Sequence, residues 1–75
     1  MNLLKRSLSL SGHQTSVALE PEFWAVLDAM ALARGDTVAS LLRGLDETRG
    51  GRPLASAARV AALAWSRDQG QAPTT

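Results

Sequence analysis

The residues best equipped for chemistry lie before position 20, where Lys5, Arg6 and His13 stand with no acid among them. Cations gathered in this way recognise anions, phosphate above all. Next to them Gln14, Thr15 and Ser16 offer a carboxamide and two hydroxyls, which donate and accept hydrogen bonds without reacting. Arrangements for catalysis are missing. With His13 as the single histidine and no cysteine, the chain has no Ser/His/Asp constellation and no metal-ligand spacing. Glu20 and Glu22 flank Pro21 at a helix start, where carboxylates are ordinarily capping groups rather than a catalytic pair. Arg43, Arg49, Arg52 and Arg59 read as a solvated helix face. The sequence therefore predicts no enzyme, no metal and no cofactor.

These side chains need elements to hold them. Residues 14–19 alternate small polar and apolar types, the period of a strand with one greasy face. Val17 and Leu19 are expected to face the core, which turns Gln14, Ser16 and Ala18 outward. Ser7-Leu8-Ser9-Leu10-Ser11 also alternates before Gly12 interrupts it. Gly12 is either a bulge in one longer strand or the turn that folds a short extra strand back, and the second reading is favoured. Residues 1–6 read as a flexible basic arm, 7–67 as the folded domain and 68–75 as a disordered tail.

From Pro21 the period becomes helical. Phe23, Leu27, Met30 and Ala31 form a stripe flanked by Trp24 and Val26, and Arg34-Gly35 closes the helix. Thr37 is expected to cap a second helix with Val38, Leu41, Leu42 and Leu45 on one face. Gly50-Gly51 ends it. Pro53 begins a third, with Leu54, Ala57, Ala58, Ala61, Ala64 and Trp65 together. Trp24 and Trp65 are expected in the core or at a dimer edge, and His13 in a structural role near the turn.

Size and charge limit the function further. A chain of 75 residues without cysteine has little core and no covalent reinforcement. Strand 14–19 lacks a long, clearly patterned partner, so the sequence predicts an obligate homodimer. The composition, 45% hydrophobic and 20% charged, is globular, and the net charge of +1 is uninformative. No stretch reads as a secretory signal or a membrane span, so a cytoplasmic protein is expected.

The order of strand, helix, turn and helix resembles the ribbon-helix-helix family of the Arc and Met repressors. The similarity spans roughly residues 14–47. It rests on Ser16-Val17-Ala18-Leu19, the Leu27/Met30/Ala31 stripe, Gly35-Asp36-Thr37 and the Val38/Leu41/Leu42/Leu45 stripe. It is nearest a bacterial branch that has Lys5-Arg6-Ser7, Gly12-His13-Gln14-Thr15-Ser16, Leu19-Glu20-Pro21-Glu22-Phe23-Trp24 and a third helix. The resemblance implies a mainly α fold with a short N-terminal β ribbon, antiparallel strands shared between two chains, and an additional C-terminal helix. It implies a dimer core of Val17, Leu19, Phe23, Leu27, Met30, Val38, Leu41, Leu42 and Leu45. It also implies a transcriptional regulator, expected to be a repressor, that inserts the ribbon into the DNA major groove. Gln14, Ser16 and Ala18 would then contact bases, while Lys5, Arg6, His13, Thr37 and Val38 would contact phosphates. Such a protein would be associated with the nucleoid.

Ala18 departs from the polar or basic residue expected of a reader. With the low net charge and the alanine-rich third helix, it favours an alternative: a dimeric protein-interaction module, with a partner through the third helix and Trp65. An antitoxin-like autoregulator is a third reading.

Overall fold

The computed structural model describes residues 2–70; Met1 and residues 71–75, most of the expected tail, lie outside the described residues. Two strands, β1 (Leu4–Leu10) and β2 (His13–Leu19), precede three helices, α1 (Pro21–Ala33), α2 (Val38–Thr48) and α3 (Leu54–Gly70).

The strands form an antiparallel hairpin within one chain, in register from Leu4 opposite Leu19 to Leu10 opposite His13. Ser11 and Gly12 both have positive φ, 51° and 83°, the signature of a type I′ turn. That turn matches the natural twist of paired strands, so the chain folds back after two residues. The expectation that strand 14–19 has no adequate partner in its own chain is thereby corrected. Its partner is as long as itself and begins at Leu4, so Leu4, Lys5 and Arg6 belong to a strand, not to an arm.

Residues directly opposite each other share a face of the sheet. Arg6 with Val17, Leu8 with Thr15 and Leu10 with His13 point towards the helices. Lys5 with Ala18, Ser7 with Ser16 and Ser9 with Gln14 point away from them.

Pro21 opens α1 with Glu20 as its N-cap. At its far end Gly35, at φ 65°, lets the Gly35 amide reach the Leu32 carbonyl and the Asp36 amide reach the Ala31 carbonyl, at 3.1 and 2.9 Å. This is the Schellman pairing that satisfies the orphan carbonyls of a helix end. Thr37 caps α2 by accepting a 3.1 Å bond from the Ser40 amide.

The core joins Leu10, Val17 and Leu19 of the hairpin to Trp24, Leu27 and Met30 of α1, Leu41 and Leu42 of α2, and Ala58 and Ala62 of α3. Six of the nine residues expected in a dimer core are thus buried inside one protomer. Phe23, Val38 and Leu45 pack at its margin. Within the protomer, β1 and α3 cover these sheet and helix faces. In α1 the order of Phe23 and Trp24 is reversed from expectation. Trp24 is only 1% exposed because its indole N–H donates to the Leu4 carbonyl at 2.7 Å, so full burial leaves no unpaired donor. In α3 Ala62 is buried, whereas Ala64 of the expected stripe is exposed.

Candidate nucleic-acid interface

The outer face of the hairpin consists of three cross-strand rows. Lys5 sits beside Ala18, Ser7 beside Ser16, and Ser9 beside Gln14. All but the half-buried Ala18 are exposed. The Ser7 and Ser16 hydroxyl oxygens are 3.4 Å apart, at the long limit of a hydrogen bond, so both remain open to other partners. The surface is narrow, and the short side chains of its middle row let another molecule approach the backbone closely.

Two anchors hold β1 against α1. Trp24 binds the Leu4 carbonyl. Two residues on, Arg6 turns inward, makes two bonds to the Asp28 carboxylate at 2.9 and 3.0 Å, and stacks its guanidinium 4.4 Å from the centre of the Trp24 ring. Lys5 lies between these anchors and is directed outward by the pleat. The Arg6 hydrogen bonds hold the Asp28 carboxyl below its ordinary pKa, against a smaller opposing effect of desolvation.

Arg6, expected to clamp phosphate, is therefore committed to Asp28 on the face turned away from the exposed rows. His13 is also on that inner face, opposite Leu10. It lines a recess with Asp46, Arg49 and Leu54 at the turn end of the hairpin. Alternation explains both placements, since each is an even number of residues from an inward apolar position.

At the start of α2 the Thr37 hydroxyl serves the Ser40 amide, and the Thr37 amide donates to the Asp36 carboxylate at 2.8 Å. Thr37 is thus a cap whose own N–H is occupied. The amides of Val38 and Ala39 are the ones an anion could take, with the Asp36 charge beside them.

A second tie secures the end of the ribbon. Arg59 of α3 donates to the Glu20 carboxylate at 3.0 Å and lies over Phe23, 5.8 Å from its ring centre. The Glu20 carboxyl is held below its ordinary pKa, first by its own backbone amide and then by Arg59. Glu20 holds the N-cap position of α1 without a side-chain cap bond, its carboxylate pairing instead with Arg59 of α3, while Glu22 stands exposed on α1.

Sequence reasoning placed Gln14, Ser16 and Ala18 outward and missed Ser7, Ser9 and the strand position of Lys5. The missing signal was present in the Ser-Leu alternation of residues 7–11 and in Ser11-Gly12, a small residue followed by the glycine that a tight turn requires.

A family model of the ribbon-helix-helix domain matches residues 3–66. The chain belongs to that family. Its structure is similar to that of an uncharacterized protein from Bordetella pertussis Tohama I, at 35% sequence identity and a TM-score of 0.78. The match covers 97% of this chain and 64% of that one, so the chain spans less than two thirds of its structural relative. No curated protein matches the chain.

Proposed function

We propose that this protein is a sequence-specific DNA-binding transcriptional regulator, acting as a repressor, and that the outer face of the hairpin is what it presents to DNA. The observation that carries this reading is the composition of that face: a two-stranded ribbon with exposed Gln14, Ser16 and Lys5 and no acid. The major groove, about 12 Å wide, admits such a ribbon. Gln14 can make a bidentate pair with adenine, and Ser16 can meet several base edges. The Val38 and Ala39 amides supply a phosphate anchor.

The acting unit in this proposal is a homodimer. Helix α1 is apolar on nearly every side, yet Leu32 is 82% exposed, with Ala25 and Ala29 exposed on the preceding turns. A helix hydrophobic all round is ordinarily buried, and a second copy is the cover we assign to this face. Among the described residues no helix is long and apolar enough to cross a membrane. The proposed site of action is the cytoplasm, at the nucleoid.

Binding to a nonspecific duplex, followed over a salt series, tests the reading. The expected result is at least micromolar affinity at low salt that weakens steadily as salt rises. No binding at the lowest salt contradicts it. A protein-interaction module is the second reading, supported by Val60 and Leu63, each more than half exposed on α3. Beside Val60, a recess of about 400 Å³ is lined by Leu45, Arg49, Arg52, Ala61 and Ala64. Capture of one stoichiometric protein with no nucleic acid would favour that module.

A further inference from the structure

We propose that the outer face of α3 docks against the same face of a second copy, with the two helices antiparallel, so that Asp68 of each chain pairs with Arg52 of the partner subunit. The contact lies apart from the hairpin and from the Ala25, Ala29 and Leu32 face of α1. It stands or falls independently of DNA binding.

Val60 is 51% exposed at the rim of the recess of about 400 Å³ between α2 and α3. The α3 wall of that recess is Ala57, Val60, Ala61 and Ala64, so three of its four side chains are single methyl groups. Side chains this short let a second helix approach towards the near end of the usual interaxial range, about 8–10 Å. Antiparallel pairing with Val60 opposite Ala61 of the partner subunit also sets Ala57 opposite Ala64. The one bulky side chain of each wall then meets a small one.

The two ends of this wall differ in charge. Arg49 and Arg52 stand at the end nearest the start of α3. Arg49 is engaged within its own chain, donating to the Asp46 carboxylate at 2.7 Å and to the Arg52 carbonyl at 2.9 Å. The Arg52 side chain is exposed and, among the described residues, belongs to no ion pair. At the other end, Asp68 follows Ala64 by four residues and so falls on the same side of α3. It too is exposed and outside every ion pair among the described residues. Arg67 lies about 100° round the helix from Asp68, in line with Val60 and towards the rim.

Within its own helix Asp68 is badly placed, since a carboxylate in a last turn meets the negative end of the dipole. The register that sets Val60 opposite Ala61 carries Asp68 to Pro53 of the partner subunit, beside Arg52 and over the positive start of the partner's α3. Two-fold symmetry makes this contact twice. Parallel pairing would set each charge against its own kind, and a partner acidic along its whole length would repel Asp68. An antiparallel second copy is the occupant that matches both ends. One pair of helix faces offers less than the roughly 1,000 Å² of a stable stand-alone interface, so the association is a weak one, expected at high protein concentration.

The test is sedimentation equilibrium of the full chain over a wide concentration range, for the parent, Arg52→Asp, Asp68→Arg and an equimolar mixture of the two variants. Both positions are exposed, and thermal unfolding checks that each variant keeps the fold. Each variant alone sets like charges together at both contacts. At the highest concentrations the parent should therefore reach about twice the mass of either variant. A mixed pair brings opposite charges together again at both contacts, so the mixture should recover the parental mass. Val60→Lys, at the exposed centre of the face, should stop at the lower mass and serves if a charge variant does not fold. The contact is overturned if parent and variants reach the same mass, or if the mixture remains at the mass of the single variants.

Discussion

Gln14 and Arg6 are both polar residues of one hairpin, but the pleat sends them to opposite fates. Gln14 faces outward with nothing to bind. Arg6 faces inward, where it pairs with Asp28 and stacks on Trp24. Replacing Gln14 by alanine is accordingly expected to relax sequence preference at the base it reads, at a cost of about 1–3 kcal/mol on the preferred duplex, checked by competition titrations. Replacing Arg6 should act through folding, by releasing the start of β1. The Asp28 carboxyl titrates below its ordinary value because Arg6 binds its charged form. Its contribution to stability is therefore complete above the unfolded pKa and is lost as pH falls through the depressed folded value. Denaturation midpoints measured from neutral pH downward should fall below about pH 4, and less steeply in Asp28→Asn. Both partners are substantially exposed, so the effect is expected to be small. That Lys5 and Arg6 are cations was plain from the sequence. Which of them stays free was not, because it depends on the register of a strand whose start was hidden in an apparent arm.

At the scale of the element, the hairpin turn governs everything downstream. Ser11 occupies a left-handed conformation that asparagine tolerates better, and Asn-Gly is the favoured pair for this turn. Ser11→Asn should raise stability by up to about 1 kcal/mol, and Gly12→Val should lower it by about 1–2 kcal/mol, both read from chemical denaturation. Thr37→Ala removes the α2 cap and is expected to cost about 1 kcal/mol. The helices were legible because their signals are local: Pro21 at a first turn, Gly35 after a last one, Thr37 three residues before the amide it caps. Strand β1 was half legible. Its alternation shows from Ser7 onward, but Leu3-Leu4 and Lys5-Arg6 break the pattern, and only the indole bond to Leu4 and the Asp28 pair explain why the strand extends through them. Trp24 was expected in the core or at a dimer edge, but its central place, rather than one on the flank of the stripe, was hidden for the same reason, since its indole binds a carbonyl 20 residues away.

For the molecule as a whole, the sequence suggested a protomer too poor in core to stand alone. The structure shows a fuller interior than that, because β1 and α3 wrap residues expected to meet a second copy. What is left uncovered is different: the Ala25, Ala29 and Leu32 face of α1, and Val60 with Leu63 on α3. If the first of these faces is the dimer contact, Leu32→Glu should shift sedimentation towards the monomer without lowering the unfolding midpoint of the protomer. A parent that sediments as a monomer at high concentration would remove the dimer from the proposal. It would leave the hairpin's outer face intact, because one chain builds that face by itself.

The central claim, that this face meets DNA, is tested most directly by following backbone amide resonances while duplex DNA is added at low salt. The largest shifts are expected on Lys5, Ser7, Ser9, Gln14, Ser16 and Ala18, with smaller ones at Val38 and Ala39. Shifts confined to α3 around Val60 and Leu63, or none at all, would contradict it.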